Sequence, residues 1–181
     1  LYEKTLEEIA PEDEEEGFIG ARYMPTNYIK DFEKYKARIA EEMGVDENLF
    51  KQTQINLAIF MRRLLVRRFE SSMFAFKASL DSLISHSETI RDWYEKLGKV
   101  PVYKKGNLPD VDLLMESIDG ELDEELKNTV LEEELKEHIE KGLWLIDKKE
   151  LKKSFIKHVE KDIKLLKAIS VKWFSKGFPS D

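Results

Sequence analysis

Four arginines fall within seven residues, Arg62, Arg63, Arg67 and Arg68, inside the otherwise apolar run Ile55 to Phe69. A guanidinium is planar, permanently charged and forked, so it matches the oxygens of a phosphate or a carboxylate. Such a cluster has two uses. It can hold nucleic-acid phosphates, or it can snorkel from a core helix and pair with acidic segments of its own chain. Arg62 lies in the apolar stripe itself, Arg63 and Arg67 sit one turn apart, and Arg68 lies near the stripe edge. Arg67 is spaced to pair with Glu70 at i,i+3. Lys77 is an outlier on the same helix. A second basic stretch, residues 148–167, carries eight lysines against three acids. It is a weaker phosphate candidate, because residues 110–141 carry thirteen acids against three lysines and offer it a partner helix.

Other chemistry is missing. A nucleotide-phosphate loop needs Gly-x4-Gly-Lys-Ser/Thr, and the nearest fragment, Gly98-Lys99-Val100, does not supply it. Asp123-Glu124-Glu125-Leu126 resembles a magnesium-binding acidic box in letters alone. No apolar strand precedes it, so it reads as a solvated helix face. His86, His138 and His158 lack zinc-type spacing. Serine-nucleophile motifs are missing, and with no cysteine there is no disulfide or thiolate chemistry. The chain is therefore expected to be non-catalytic, with no cofactor or metal of its own.

The elements that must position the arginines are helices. Asp31 to Met43 reads as one, with Phe32, Tyr35 and Ile39 on one face and Gly44 past its end. From Val45 to Leu97 there is neither Gly nor Pro. Apolar residues recur there at 55, 59, 66, 69, 73, 76, 80, 83, 90, 94 and 97, with gaps at Arg62 and Ser87. The spacing predicts a long helix or a helical hairpin broken near Ser85-His86-Ser87. Gly98, Pro101, Gly106 and Pro109 mark a loop, and Asp110 to Ser117 a short helix. Glu121 to Lys141 reads as a helix. Another, capped by Asp147, runs to Phe174 with Leu151, Phe155, Val159, Ile163, Leu166, Ile169 and Trp173 inward. No segment alternates as a strand. The fold class is all-α, an antiparallel helical bundle. It divides into an anchoring segment and short helix (1–44), the arginine-bearing helix (45–97), a loop and short helix (98–120) and a C-terminal helical hairpin (121–181).

Composition fits this. Charged residues make up 37% of the chain and apolar residues 41%, as in helices with solvated outer faces around a real core. The net charge of −7 argues against nucleic-acid affinity spread over the whole surface, so any such contact must be local. Residues 1–20, with eight acids and one lysine, read as a short helix followed by Pro11 and the acidic run Glu12 to Glu16, a solvated loop, ahead of an anchor formed by Tyr23, Tyr28 and Phe32. No stretch is long and apolar enough to span a membrane and no signal peptide is evident, so a cytoplasmic location is expected. The chain starts at Leu1 and stops at Gly177-Phe178-Pro179-Ser180-Asp181, and is read as a piece of a larger protein.

Met61-Arg62-Arg63-Leu64-Leu65-Val66-Arg67-Arg68-Phe69-Glu70-Ser71-Ser72, with Phe74-Ala75-Phe76-Lys77 and Leu80, resembles a segment of large bacterial superfamily-two helicases of the Swi/Snf type. Ala21-Arg22-Tyr23-Met24-Pro25, Lys30-Asp31-Phe32-Glu33-Lys34-Tyr35 and the tail from Asp162-Ile163-Lys164-Leu165-Leu166 through Trp173 to Ser180-Asp181 are similar less specifically. In that family the arginine helix lies between two ATPase lobes and leads into a helical insertion. The resemblance implies a parent that hydrolyses ATP with magnesium and translocates on or remodels DNA. This chain would be its inter-lobe insertion alone, since it lacks the phosphate loop, the acidic box and the arginines of the second lobe. The flanking lobes would be its partners and DNA a further contact. Arg62, Arg63, Arg67, Arg68 and Lys77 would form the docking or phosphate-holding patch. The alternative is a protein-interaction module in which the 55–97 stripe forms a coiled coil, as a dimer or with a partner. Phe69, Phe76 and Tyr94 in the stripe suit globular packing better than a clean aliphatic seam.

Overall fold

The computed structural model describes residues 1–13, 16–44, 46–103 and 143–177. The described chain is mostly helical with one two-stranded sheet. Its helices are α1 (Tyr2–Ile9), α2 (Phe32–Met43), α3 (Glu47–Ser71), α4 (Met73–Lys96) and α5 (Ser154–Phe174). Strands β1 (Lys99–Tyr103) and β2 (Leu143–Asp147) pair antiparallel, with Val100 opposite Ile146 and Val102 opposite Trp144. The short helix expected over 110–117, the helix over 121–141, the Asp123 to Leu126 stretch, His138 and residues 178–181 lie outside the described residues.

Local chemistry sets most helix ends. Asp31 caps α2 by accepting from the Lys34 N–H at 3.2 Å, and Asp46 caps α3 by accepting from the Leu49 N–H at 2.8 Å. Gly44 closes α2 in the left-handed conformation, φ 62°, which side chains other than glycine's adopt only with strain.

The long helical run breaks at Ser72, not near Ser85 to Ser87. Ser72 is extended, with φ −158° and ψ 120°, and its hydroxyl accepts from the Ala75 N–H at 3.2 Å. A serine offers the backbone an alternative to the helical ladder, and this one starts a new helix. The Phe69 and Phe76 rings, with centroids 4.8 Å apart, close over the break. Through Ser85 to Ser87 the helix continues: Ser87 is buried, and the Thr89 hydroxyl donates to the Ser85 carbonyl at 2.9 Å.

The mostly helical chain agrees with the all-α class, but the two strands correct the expectation that no segment alternates as a strand. Val100, Val102, Trp144 and Ile146 are all buried, so each strand carries a two-residue alternation toward the core. Pro101 and Gly98 made β1 read as loop, and the partner that pairs with it lies some forty positions on. Asp147 accepts from the Lys149 N–H at 2.9 Å and caps a single 3-10 turn, Lys148–Glu150, while α5 starts only at Ser154.

The core has two clusters. In one, Tyr35, Phe50, Trp93, Val100, Ile146 and Phe155 gather α2, the start of α3, the end of α4, the sheet and the start of α5. In the other, Ile9, Phe18, Leu65, Phe69, Leu80 and Leu166 gather α1, the end of α3, the start of α4 and the second half of α5. Full burial of each such side chain contributes about 1.5–3 kcal/mol. The inward set expected for α5 is buried from Leu151 to Ile169, with Trp173 half-buried.

Candidate functional site

The segment between α1 and α2 positions the arginine helix. Residues Ala21–Tyr23 and Pro25–Tyr28 form two 3-10 turns laid between α3 and α5. Gly20 enters them with φ +73°, and a Cβ there would stand 3.2 Å from the Ala58 side chain. The chain can therefore approach α3 closely at the point where α3 itself carries a small residue. Asp162 of α5 fixes the same turn. Its Oδ1 accepts from the Ile19 N–H at 2.8 Å, and its Oδ2 accepts from the Gly20 and Ala21 N–H groups at 2.9 and 3.1 Å. Burial pushes the Asp162 carboxyl up to about 6, while the three backbone donors pull the other way. Gln54 of α3 holds the second turn, its Oε1 accepting from the Thr26 N–H at 3.1 Å and the Thr26 hydroxyl at 2.5 Å. Tyr28 and His158 share a hydrogen bond of 2.8 Å across to α5.

This arrangement sets the rotation of α3. Its inward residues are Phe50, Gln54, Ala58, Leu65 and Phe69. The sequence phase placed 55, 59 and 66 inward, about one residue away from this face. Buried Gln54 and small Ala58, which periodicity discounts, decide it. Arg62 follows the inner edge. It is half-buried, and its Nε donates to the Phe18 carbonyl at 2.7 Å. It helps hold the N-terminal segment onto α3.

The other arginines separate from it. Arg63 and Arg67 are exposed and Arg68 is half-buried. None of the three forms an ion pair among the described residues, so the Arg67–Glu70 pair is not made. Lys77 does not join them. It pairs with Asp81 at 2.5 Å and lies 5.8 Å from the Phe174 ring centroid. Of the second basic stretch, Lys167 pairs with Glu88 of α4, and the later Lys172 with Glu8 of α1 at 2.6 Å. The expected partner of that stretch, residues 121–141, lies outside the described residues.

Two residues of the site escaped the sequence reading. Asp162 is an acid on a lysine-rich helix and reads as solvated, and only the fold brings the Ile19 to Ala21 amides to it. Phe60, 56% exposed, stands on the outward face of α3 with Arg63 and Arg67. Its three- and seven-residue spacing to those arginines was a legible signal.

No group of three or more metal-ligating side chains occurs among the described residues, and no described helix is long and apolar enough to cross a membrane. Comparison with protein-family models, curated proteins and solved structures gives no match.

Proposed function

We propose that this chain is a non-catalytic helical domain standing between the two ATPase lobes of a Swi/Snf-type, helicase-like DNA translocase. Its role is mechanical. It links the lobes, braces their relative motion and offers Arg63, Arg67 and Arg68 to a lobe or to DNA phosphates. The hydrolysis of ATP with magnesium belongs to the parent's lobes, and the parent is bacterial and cytoplasmic. We read the helices as an antiparallel bundle, in keeping with the order in which α3, α4 and α5 pass through the two core clusters.

One observation carries the reading. Three of the stretches that resemble the family, those holding Ala21, Arg62 and Asp162, lie far apart in sequence and come together around the turn at residues 18–21. Asp162 grips the amides at 19–21, and Arg62 grips Phe18. A shared packing unit gives those stretches a common reason to look alike, and it leaves Arg63 and Arg67 pointing outward. Exposed arginines without a carboxylate partner raise the local positive potential on an otherwise acidic chain.

The coiled-coil alternative lacks comparable support. Phe69, Phe76, Leu80, Leu83 and Ile90 of its stripe are buried within the chain's own core.

The test is binding of a DNA duplex as a function of salt. The double variant Arg63→Gln/Arg67→Gln is expected to weaken binding and to flatten the slope of log K against log salt by about 0.9 for each phosphate no longer held. An unchanged slope would sink the DNA contact and leave lobe docking as the role of the arginines.

A further inference from the structure

Phe60 lies in neither core cluster and faces out from α3. On α3 it shares the outward face with Asn56, Arg63 and Arg67, and more than half of its surface is exposed. Asn56 is engaged by Gln52 at 3.0 Å, on the side of Phe60 away from the arginines. Arg63 lies one turn beyond the ring and Arg67 one turn further, about 6 Å apart along the axis. Neither arginine forms an ion pair among the described residues, although Glu70 lies one turn beyond Arg67 on the same helix. The face thus presents a half-exposed aromatic ring beside two guanidinium groups that form no ion pair among the described residues.

Charge complementarity calls for an anionic occupant, and the ring selects among anions. A duplex offers phosphates, but its base faces are stacked away, so a ring on the flat side of a helix gains nothing from it. An unpaired strand offers phosphates and free base faces together. Aromatic stacking with flanking cationic groups is the general way proteins hold such strands. We infer that the outer face of α3 binds single-stranded nucleic acid, with a base stacked on Phe60 and successive phosphates held by Arg63 and Arg67. The inference rests on the proposed nucleic-acid role of the arginine face and names its substrate class.

The experiment measures fluorescence anisotropy of a labelled oligothymidylate and of a duplex of equal length. It uses the 181-residue chain at several salt concentrations, with helicity checked by circular dichroism. The single strand is expected to bind more tightly than the duplex. Phe60→Ala should weaken single-strand binding roughly 5- to 150-fold and leave its salt slope unchanged, while Phe60→Tyr, which keeps the π-face, should retain binding. Arg63→Gln/Arg67→Gln should flatten the single-strand slope by about 0.7 per phosphate. If the arginine variant flattens the slope but Phe60→Ala has no effect and the duplex binds equally well, the single-strand inference is overturned and the nucleic-acid reading stands. An unaffected slope in the arginine variant overturns both. Displacement of the oligonucleotide by polyglutamate as readily as by unlabelled oligothymidylate also overturns the inference, in favour of an acidic protein surface.

Discussion

Asp162→Asn is the perturbation that the packing around the arginine helix makes most informative. Asp162 is 2% exposed and takes three backbone N–H groups, from Ile19, Gly20 and Ala21. Asparagine keeps one carbonyl oxygen but turns an NH2 toward donors. At least one buried N–H then loses its acceptor, and each such orphan costs about 1–3 kcal/mol. The gain from no longer burying a charge offsets part of this, so near neutral pH a net loss of about 0.5–2 kcal/mol is expected. That is a large share of the roughly 5–15 kcal/mol that holds a domain together.

The pH dependence gives the sharper test. The folded-state pKa, about 6, lies above the ordinary value of 3.8. The folded state therefore holds more protons than the unfolded state between those two values. Asp162 adds stability that is fully present below the lower pKa and is lost as pH rises through the upper one, with a slope of at most about 1.4 kcal/mol per pH unit. The asparagine side chain cannot titrate. The stability gap between wild type and Asp162→Asn should accordingly widen on acidification from neutral toward pH 4. Urea unfolding of both proteins across that range reads the gap directly, and amide exchange at Ile19, Gly20 and Ala21 should lose its protection in the variant. A gap that stays constant or narrows on acidification would refute the reasoning.

Three further outcomes are expected. Gly20→Ala, strained by φ +73° and crowded by the Ala58 side chain 3.2 Å away, should cost about 2–4 kcal/mol, whereas Gly44→Ala, with open space around it, should cost only about 1–2 kcal/mol. Equal urea midpoints for the two variants would contradict the close approach at Gly20. Arg62→Met should lower stability by about 1–3 kcal/mol through removal of the hydrogen bond to the Phe18 carbonyl. It should leave the salt slope of DNA binding unchanged, and a flattened slope would place Arg62 with Arg63 and Arg67. Sedimentation should give one monomeric mass at all concentrations, since the apolar stripe is spent inside the chain. A concentration-dependent dimer would revive the coiled-coil module.

The legible parts of the fold were those where one element carries its own pattern. The α5 stripe from Leu151 to Ile169 repeats every three or four residues and is buried as the spacing requires. Asp31 and Gly44 bracket α2 with a cap at each end. What escaped depended on residues distant in sequence. Val100 and Val102 become a strand face only against Ile146 and Trp144. Ser72 breaks the long run without a glycine or a proline, because its hydroxyl competes for a backbone amide. The rotation of α3 was misplaced because Gln54 is polar yet buried, held by Thr26. The same shift explains why the arginine cluster, one patch in the sequence, divides in space. Arg62 faces the N-terminal segment, Lys77 is taken by Asp81, Arg68 is half-buried, and Arg63 and Arg67 are exposed.

The coding sequence on either side of this chain tests the central claim most directly. An inter-lobe domain predicts a Gly-x4-Gly-Lys-Ser/Thr loop and an acidic box upstream of Leu1, with a second ATPase lobe beginning shortly after Asp181. A reading frame carrying neither lobe would contradict the claim and make the likeness of Met61 to Ser72 a chance feature of an arginine-bearing helix.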